Sequence, residues 1–176
     1  NAGLAVAKGR WIAILDADDT MTPDRRTRMI GLAEAERADA VFDDFQPVDS
    51  TGRPGGQTHL APLGLTAPCR WDLETFLAGC QAESGRPSLG YLKPILRRDF
   101  LIRQKLHYDE SLRNGEDFHL IAALLAAGGA LWVSPEAGYQ YTTGSGSISA
   151  RLAPDHARAL GHADAVILER YGDDLS

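Results

Sequence analysis

Trp11-Ile12-Ala13-Ile14-Leu15-Asp16-Ala17-Asp18-Asp19 is the stretch on which the fold turns. Five apolar residues in a row, bounded by polar ones, read as a short strand buried on both faces, the pattern of a parallel sheet covered by helices. The run stops in a group of carboxylates. Side chains alternate along an extended chain, so Asp16 and Asp18 project to one side and Ala17 to the other. Paired acids at the C-terminal end of such a strand lie where open α/β sheets place ligands. Adjacent carboxylates repel, and a hard divalent cation relieves that repulsion while keeping coordination positions for phosphate. A solvated acidic turn is the plainer reading. The apolar strand before it and the helix start after it favour a metal–phosphate site.

The helix start is Thr22-Pro23-Asp24, with Thr as the cap, Pro at the first position and Asp in the first turn. The spacing of Met29, Leu32, Ala33 and Glu36 predicts a helix to about residue 38. Upstream, residues 4–8 read as a helix end closed by Gly9. Downstream, residues 40–45 read as a second strand and 53–70 as a Gly- and Pro-rich loop. Asp72 caps a short predicted helix, a strand is expected over 90–96 around Pro94, and a short helix over 98–104. Asn114-Gly115-Glu116-Asp117 opens a helix to about residue 127, apolar on nearly every side and therefore buried. Strands are expected over 130–133 and 138–141, a Gly/Ser loop over 142–149 and a last helix over 154–171. This order of elements predicts an α/β fold.

Composition sets the outer limits. The chain has 176 residues with 18 basic and 24 acidic side chains, a net charge of −6. That length suits one domain with a real core. The acidic balance argues against a broad basic face for nucleic acid, and no nucleic-acid partner is expected. Two cysteines, Cys69 and Cys80, are too few for a disulfide scaffold or a Cys-rich zinc site. No apolar run has the length that spans a bilayer.

Two known patterns fit the acidic segment. Asp16-Ala17-Asp18-Asp19-Thr20 after a buried strand resembles the haloacid dehalogenase-like phosphatase motif, with Asp16 as nucleophile and Asp18 as general acid/base. It also resembles the Asp-x-Asp of nucleotide-sugar glycosyltransferases. The rest of the chain favours the second. Asn1-Ala2-Gly3, Ala7-Lys8-Gly9, the Asp-x-Asp strand and Pro23-Asp24-Arg25 follow in the order seen in family 2 glycosyltransferases. Tyr108-Asp109-Glu110, Gly115-Glu116-Asp117, Tyr139-Gln140-Tyr141 and the Ser145–Ser149 loop continue it. The sequence is thereby similar to bacterial family 2 glycosyltransferases that build exopolysaccharides such as succinoglycan.

The resemblance implies a GT-A fold, a Rossmann-like mixed sheet, here without the N-terminal nucleotide-binding part. It divides the chain into 1–150, the metal and acceptor region, and 151–176, a terminal helix packed on it. It implies inverting transfer from a nucleotide sugar, a UDP-sugar being the expected donor, to a lipid-linked oligosaccharide. Asp18 is implied as ligand of Mn²⁺ or Mg²⁺ with Asp16 assisting, and Asp117 as general base beside Glu116. Adjacent helix residues project about 100° apart, so only one of Glu116 and Asp117 can face a given site. Lys93 and Arg97 or Arg98 are candidates to contact diphosphate or acceptor, against the default of solvated surface charges. His119 reads as a packed or surface imidazole, Ser145, Ser147 and Ser149 equally as a lid or a polar loop, and Trp71 as core or a sugar-stacking ring. The truncated chain alone is expected to be inactive. An exposed sheet edge is expected, able to pair with a second copy. The expected location is cytoplasmic, at the inner face of the membrane.

Overall fold

A computed structural model of the chain describes residues 1–80, 88–112, 115–143 and 154–171. Among these residues six strands form one mixed sheet. In chain order they are β1 (Trp11–Ala13), β2 (Thr20–Met21), β3 (Ala40–Val48), β4 (Cys69–Trp71), β5 (Ile95–Arg97) and β6 (Leu131–Thr142). The helices are α1 (Ala2–Val6), α2 (Arg25–Ala35), α3 (Leu73–Gly79), α4 (Arg98–Gln104), α5 (Glu116–Ala126) and α6 (Pro154–Tyr171). The spatial order is β1-β5-β3-β6-β2, with β4 also paired to β6.

The two long strands form the spine. β3 and β6 run parallel from Ala40↔Leu131 to Val48↔Thr142, with register shifts on either side of Asp44. Every other pairing is antiparallel. Alternation along β3 separates two cores. Val41 packs with Met29, Ala33, Ala38 and Ile95 under α2. Ala40 and Phe42 face a larger cluster that includes Leu60, Phe76, Leu96, Leu120, Ile121 and Leu124. The apolar α5 is buried in that second cluster, as its composition predicts.

The same alternation continues into two buried acids. Asp43 meets Arg25 on the α2 side, with Arg25 Nε 3.0 Å from both carboxylate oxygens. Asp44 Oδ1 accepts from the backbone N–H groups of Phe45 and Leu60, at 2.7 and 2.8 Å, and so fixes the long β3–β4 connection to the sheet.

Several expectations are corrected. The strand 11–15 is shorter, antiparallel to β5, and paired on one side only among the described residues. It is half-buried rather than covered on both faces, and Leu15 is exposed. Thr22 does not cap α2. Its N–H continues the β2–β6 pairing by bonding the Gly138 carbonyl at 2.9 Å, and α2 begins only at Arg25, with no side-chain cap bond at its start. Gly9 does not close α1, which ends at Val6. The two strands expected over 130–141 are one, because β3 runs beside the whole of it. Of residues 90–96, the first two belong to a short 3₁₀ turn, Leu89–Tyr91, and only the end enters β5. Asp72 does cap α3, accepting from Thr75 N–H at 2.8 Å.

Candidate functional site

The acidic segment leaves β1 as a turn, in which Asp19 N–H bonds the Asp16 carbonyl at 3.2 Å. Asp16 and Asp18 are therefore not on a strand, and their alternation does not apply. Asp16 is half-buried and Asp18 exposed. Asp19, which sequence reading passed over, is buried and anchors the turn to β6. Its Oδ2 accepts from the Tyr139 hydroxyl at 2.7 Å and its Oδ1 from Thr142 N–H at 2.7 Å. The Tyr139 oxygen in turn accepts from Asp16 N–H at 3.1 Å. Thr142 Oγ1 donates to the Asp18 carbonyl at 2.6 Å. Burial raises the Tyr139 hydroxyl, and the Asp19 carboxylate adds to that against the opposing Asp16 N–H. The phenol therefore stays protonated and available as a donor.

Lys93 joins this turn to the start of α5. Its Nζ lies 2.6 Å from Asp117 Oδ2 and 3.0 Å from Asp16 Oδ2. The Lys93 and Asp117 side chains are only 12% and 13% exposed, against 42% for Asp16, so the inner pair is the less screened. Burial by itself lowers the Lys93 ammonium, but Asp117 and Asp16 outweigh it and the net shift is upward. Lys93 is thus a fixed positive charge. Tyr108 donates to the other oxygen, Asp117 Oδ1, at 3.0 Å. Burial first, then Asp117, raises the Tyr108 hydroxyl, so it too remains a donor.

The start of α5 is built around Gly115, whose φ of +82° belongs to the left-handed region that glycine enters without strain. A Cβ there would also lie 2.8 Å from Leu160 Cδ2 of α6. Glu116 and Asp117 follow in the first turn, where the free N–H groups stabilise negative charge. They line a cleft of about 410 Å³ with Tyr91, Lys93, His119 and Asp164.

The structure thus brings Asp16, Lys93 and Asp117 into contact, places Glu116 on the same cleft and leaves Asp18 on the exposed part of the turn. Other candidates lie elsewhere. Arg97 is tied to Asp39 and the Ala38 carbonyl. Arg98 lines a groove between α1 and α4. Trp71 is a core residue, which removes it as a sugar-stacking ring. His119 is packed. The serine loop, Ser145 to Ser149, lies outside the described residues. Sequence reading gave no role to Tyr108, Tyr139 or Thr142. The first two lie in quoted motifs, but only the β2–β6 pairing and the 105–110 segment bring them to the carboxylates.

Among the described residues no group of three His, Cys, Asp or Glu side chains could hold a metal. Asp16 and Asp18 offer two carboxylates on one turn. That suits Mg²⁺ or Mn²⁺, which take one or two carboxylates and complete their shell with water and phosphate. Of the two, Asp16 already pairs with the Lys93 ammonium at 3.0 Å and Asp18 is exposed, and these are the oxygen donors that would hold such a cation.

Comparison with known proteins identifies the family and the fold. Residues 1–96 match the family described as glycosyl transferase family 2. The succinoglycan biosynthesis protein ExoO of Rhizobium meliloti (strain 1021) is 43% identical over 178 residues, covering 99% of this chain and 49% of ExoO. ExoU of the same organism is 30% identical over 170 residues, covering 96% of this chain and 48% of ExoU. The chain thus spans about half the length of these relatives. Among solved structures, S. aureus TarS 1-349 in complex with UDP-GlcNAc superposes with a TM-score of 0.68 at 19% identity, over 96% of this chain and 45% of that one. Its complex with UDP gives 0.64 at 18% identity, over 96% and 43%. The fold is that of GT-A glycosyltransferases. These matches do not support the phosphatase reading of Asp16 and Asp18.

Proposed function

The chain belongs to glycosyl transferase family 2, and from that premise we propose that the protein carrying it moves a sugar from a nucleotide sugar to a saccharide acceptor in exopolysaccharide synthesis, with inversion at the anomeric carbon. The observation that carries this reading is Lys93, whose ammonium bridges Asp16 on the acidic turn and Asp117 on α5. One cation therefore ties the diphosphate end of the site to the base end. The names of the two succinoglycan relatives support the pathway, and the UDP and UDP-GlcNAc complexes of TarS support a UDP-sugar donor.

In this mechanism Asp117 accepts the proton of the acceptor hydroxyl as that oxygen attacks the anomeric carbon. The bond from that carbon to the diphosphate oxygen breaks, and the nucleoside diphosphate leaves. Tyr108 holds Asp117 Oδ1, so the carboxylate cannot rotate freely. Lys93 offsets negative charge between the leaving diphosphate and the base. Asp18, with Asp16, would hold Mg²⁺ or Mn²⁺, whose contribution is to neutralise diphosphate charge. The acceptor enters by the cleft lined by Glu116 and Tyr91. Among the described residues no helix is long and apolar enough to cross a membrane. Action at the cytoplasmic face on a lipid-linked acceptor is part of the proposal.

UDP release from UDP-sugars by the complete protein with Mn²⁺ tests this reading. Asp117→Asn is expected to lower kcat by about 10²–10⁴-fold, the usual worth of a general base, while UDP still binds. Unchanged turnover in Asp117→Asn sinks the base assignment. Turnover that survives Asp18→Ala sinks the metal role.

A further inference from the structure

Arg25 is fully buried at the first position of α2, and Asp43 beside it is 1% exposed. A buried ion pair is weak grounds for stability, since apolar residues of similar volume often do as well. Here the pairing is also incomplete, because Arg25 Nη1 is buried with no partner among the described residues. Desolvation raises the Asp43 carboxyl although Arg25 opposes it, so the acid is held at a cost.

The other contacts of Arg25 point to the site. Its Nη2 donates to Asp43 Oδ1 at 2.9 Å and to the Lys93 carbonyl at 2.7 Å. Its guanidinium carbon lies 5.0 Å from the centre of the Tyr139 ring. Lys93 precedes Pro94, whose carbonyl accepts from Ile14 N–H at 3.1 Å at the end of β1. The 93–94 backbone is therefore pinned from two directions, by β1 and by Arg25. Tyr139 carries the hydroxyl that bonds Asp19 and Asp16. One planar guanidinium thus touches both supports of the acidic turn and of the Lys93 ammonium. A lysine has no rigid fork that could do the same.

We propose that Arg25, held by Asp43, is a positioning residue for the transfer reaction: it sets the Lys93 backbone and the Tyr139 ring, and through them the spacing of Asp16, Lys93 and Asp117. The catalytic part of this inference rests on the glycosyltransferase reading; the placement of Lys93 does not.

The test uses the complete protein with Arg25→Lys and with the charge-free pair Arg25→Met/Asp43→Leu. Turnover of a UDP-sugar is expressed per folded molecule from the denaturation curve of each sample. Lys93 is followed separately by competitive acetylation and mass spectrometry. Both variants are expected to lose at least about tenfold in kcat with a smaller change in acceptor KM, and Lys93 is expected to acetylate at least about tenfold faster. Wild-type kcat or unchanged Lys93 labelling in a folded variant overturns the proposal. So does failure of both variants to fold, which makes the pair a folding element only. If the native protein turns over no nucleotide sugar, the glycosyltransferase reading fails, and the labelling rates still decide whether Arg25 places Lys93.

Discussion

Replacing Gly138 by alanine should damage the protein far more than a single methyl group suggests. Gly138 lies in β6 against the Arg25–Asp43 pair. A Cβ built there comes within 2.5 Å of Asp43 Oδ2, 2.6 Å of Arg28 Nη2 and 2.9 Å of Arg25 Cγ. Arg28 is part-exposed and can swing away. Asp43 and Arg25 cannot, because both are enclosed. Ordinary contact begins near 3.4 Å, so the carboxylate must retreat by close to an ångström. Overpacking of this kind costs about 1–3 kcal/mol. Losing one charge-assisted hydrogen bond costs about 1.5–3 kcal/mol. The two effects overlap, and together about 2–4 kcal/mol is expected. For a domain of this size that lowers Tm by roughly 4–16 °C. Gly31→Ala is the control. Gly31 lies inside α2 with nothing within 4 Å of its built Cβ, so the same change should add about 0.5–1 kcal/mol. Thermal unfolding followed by circular dichroism measures both. A Gly138→Ala protein within about 0.5 kcal/mol of the parent would refute the reasoning, since that is the range of neutral surface changes.

Tyr139→Phe removes the hydroxyl between Asp16 N–H and Asp19 Oδ2, leaving a buried carboxylate oxygen short of a partner at about 1–3 kcal/mol. Donor KM should rise as the acidic turn loosens, and an unchanged KM in steady-state assays would show that the turn is held without it. His119 is buried, its ring nitrogens make no hydrogen bond among the described residues, and Nε2 lies 3.5 Å from Asp164 Oδ1; burial lowers its proton affinity below the ordinary value of 6.5 and outweighs the opposing Asp164 and Asp109 carboxylates. The unfolded chain therefore takes up the proton first, so stability present above about pH 6.5 declines as pH falls through that window. His119→Leu should flatten the decline in urea midpoint between about pH 6.5 and 5, and an equal slope in both proteins counts against this origin.

The parts of the fold legible in the sequence were those with local causes. Asp72 caps α3 through its own side chain, three residues from its donor. The apolar girth of residues 116–126 predicts a buried helix, and α5 is one. Misread boundaries had remote causes. Thr22 looks like a cap, but it extends the β2–β6 pairing, its N–H bonded to Gly138 more than a hundred residues away, and α2 starts only at Arg25. The run 11–15 looks like a covered parallel strand, yet its neighbour is the antiparallel β5. Hydrophobicity reports burial and says nothing of which strand supplies the hydrogen bonds.

The site divides along the same line. The residue types at Asp16, Asp18, Glu116 and Asp117 were readable, because ordered short motifs carry them along the chain, whereas Lys93 stood outside those motifs as one charged candidate among three. Their relations were not. Nothing local says that the Lys93 ammonium stands between Asp16 and Asp117, that Tyr108 takes the other Asp117 oxygen, or that Asp19 rather than its neighbours anchors the turn. The sequence by itself determined which carboxylates, cation and phenols were on hand and the family to which they belong. Only the tertiary structure decided which carboxylate is anchor, which is bridged and which stays in solvent, because those roles depend on burial and on distances of a few ångströms between segments far apart in the chain.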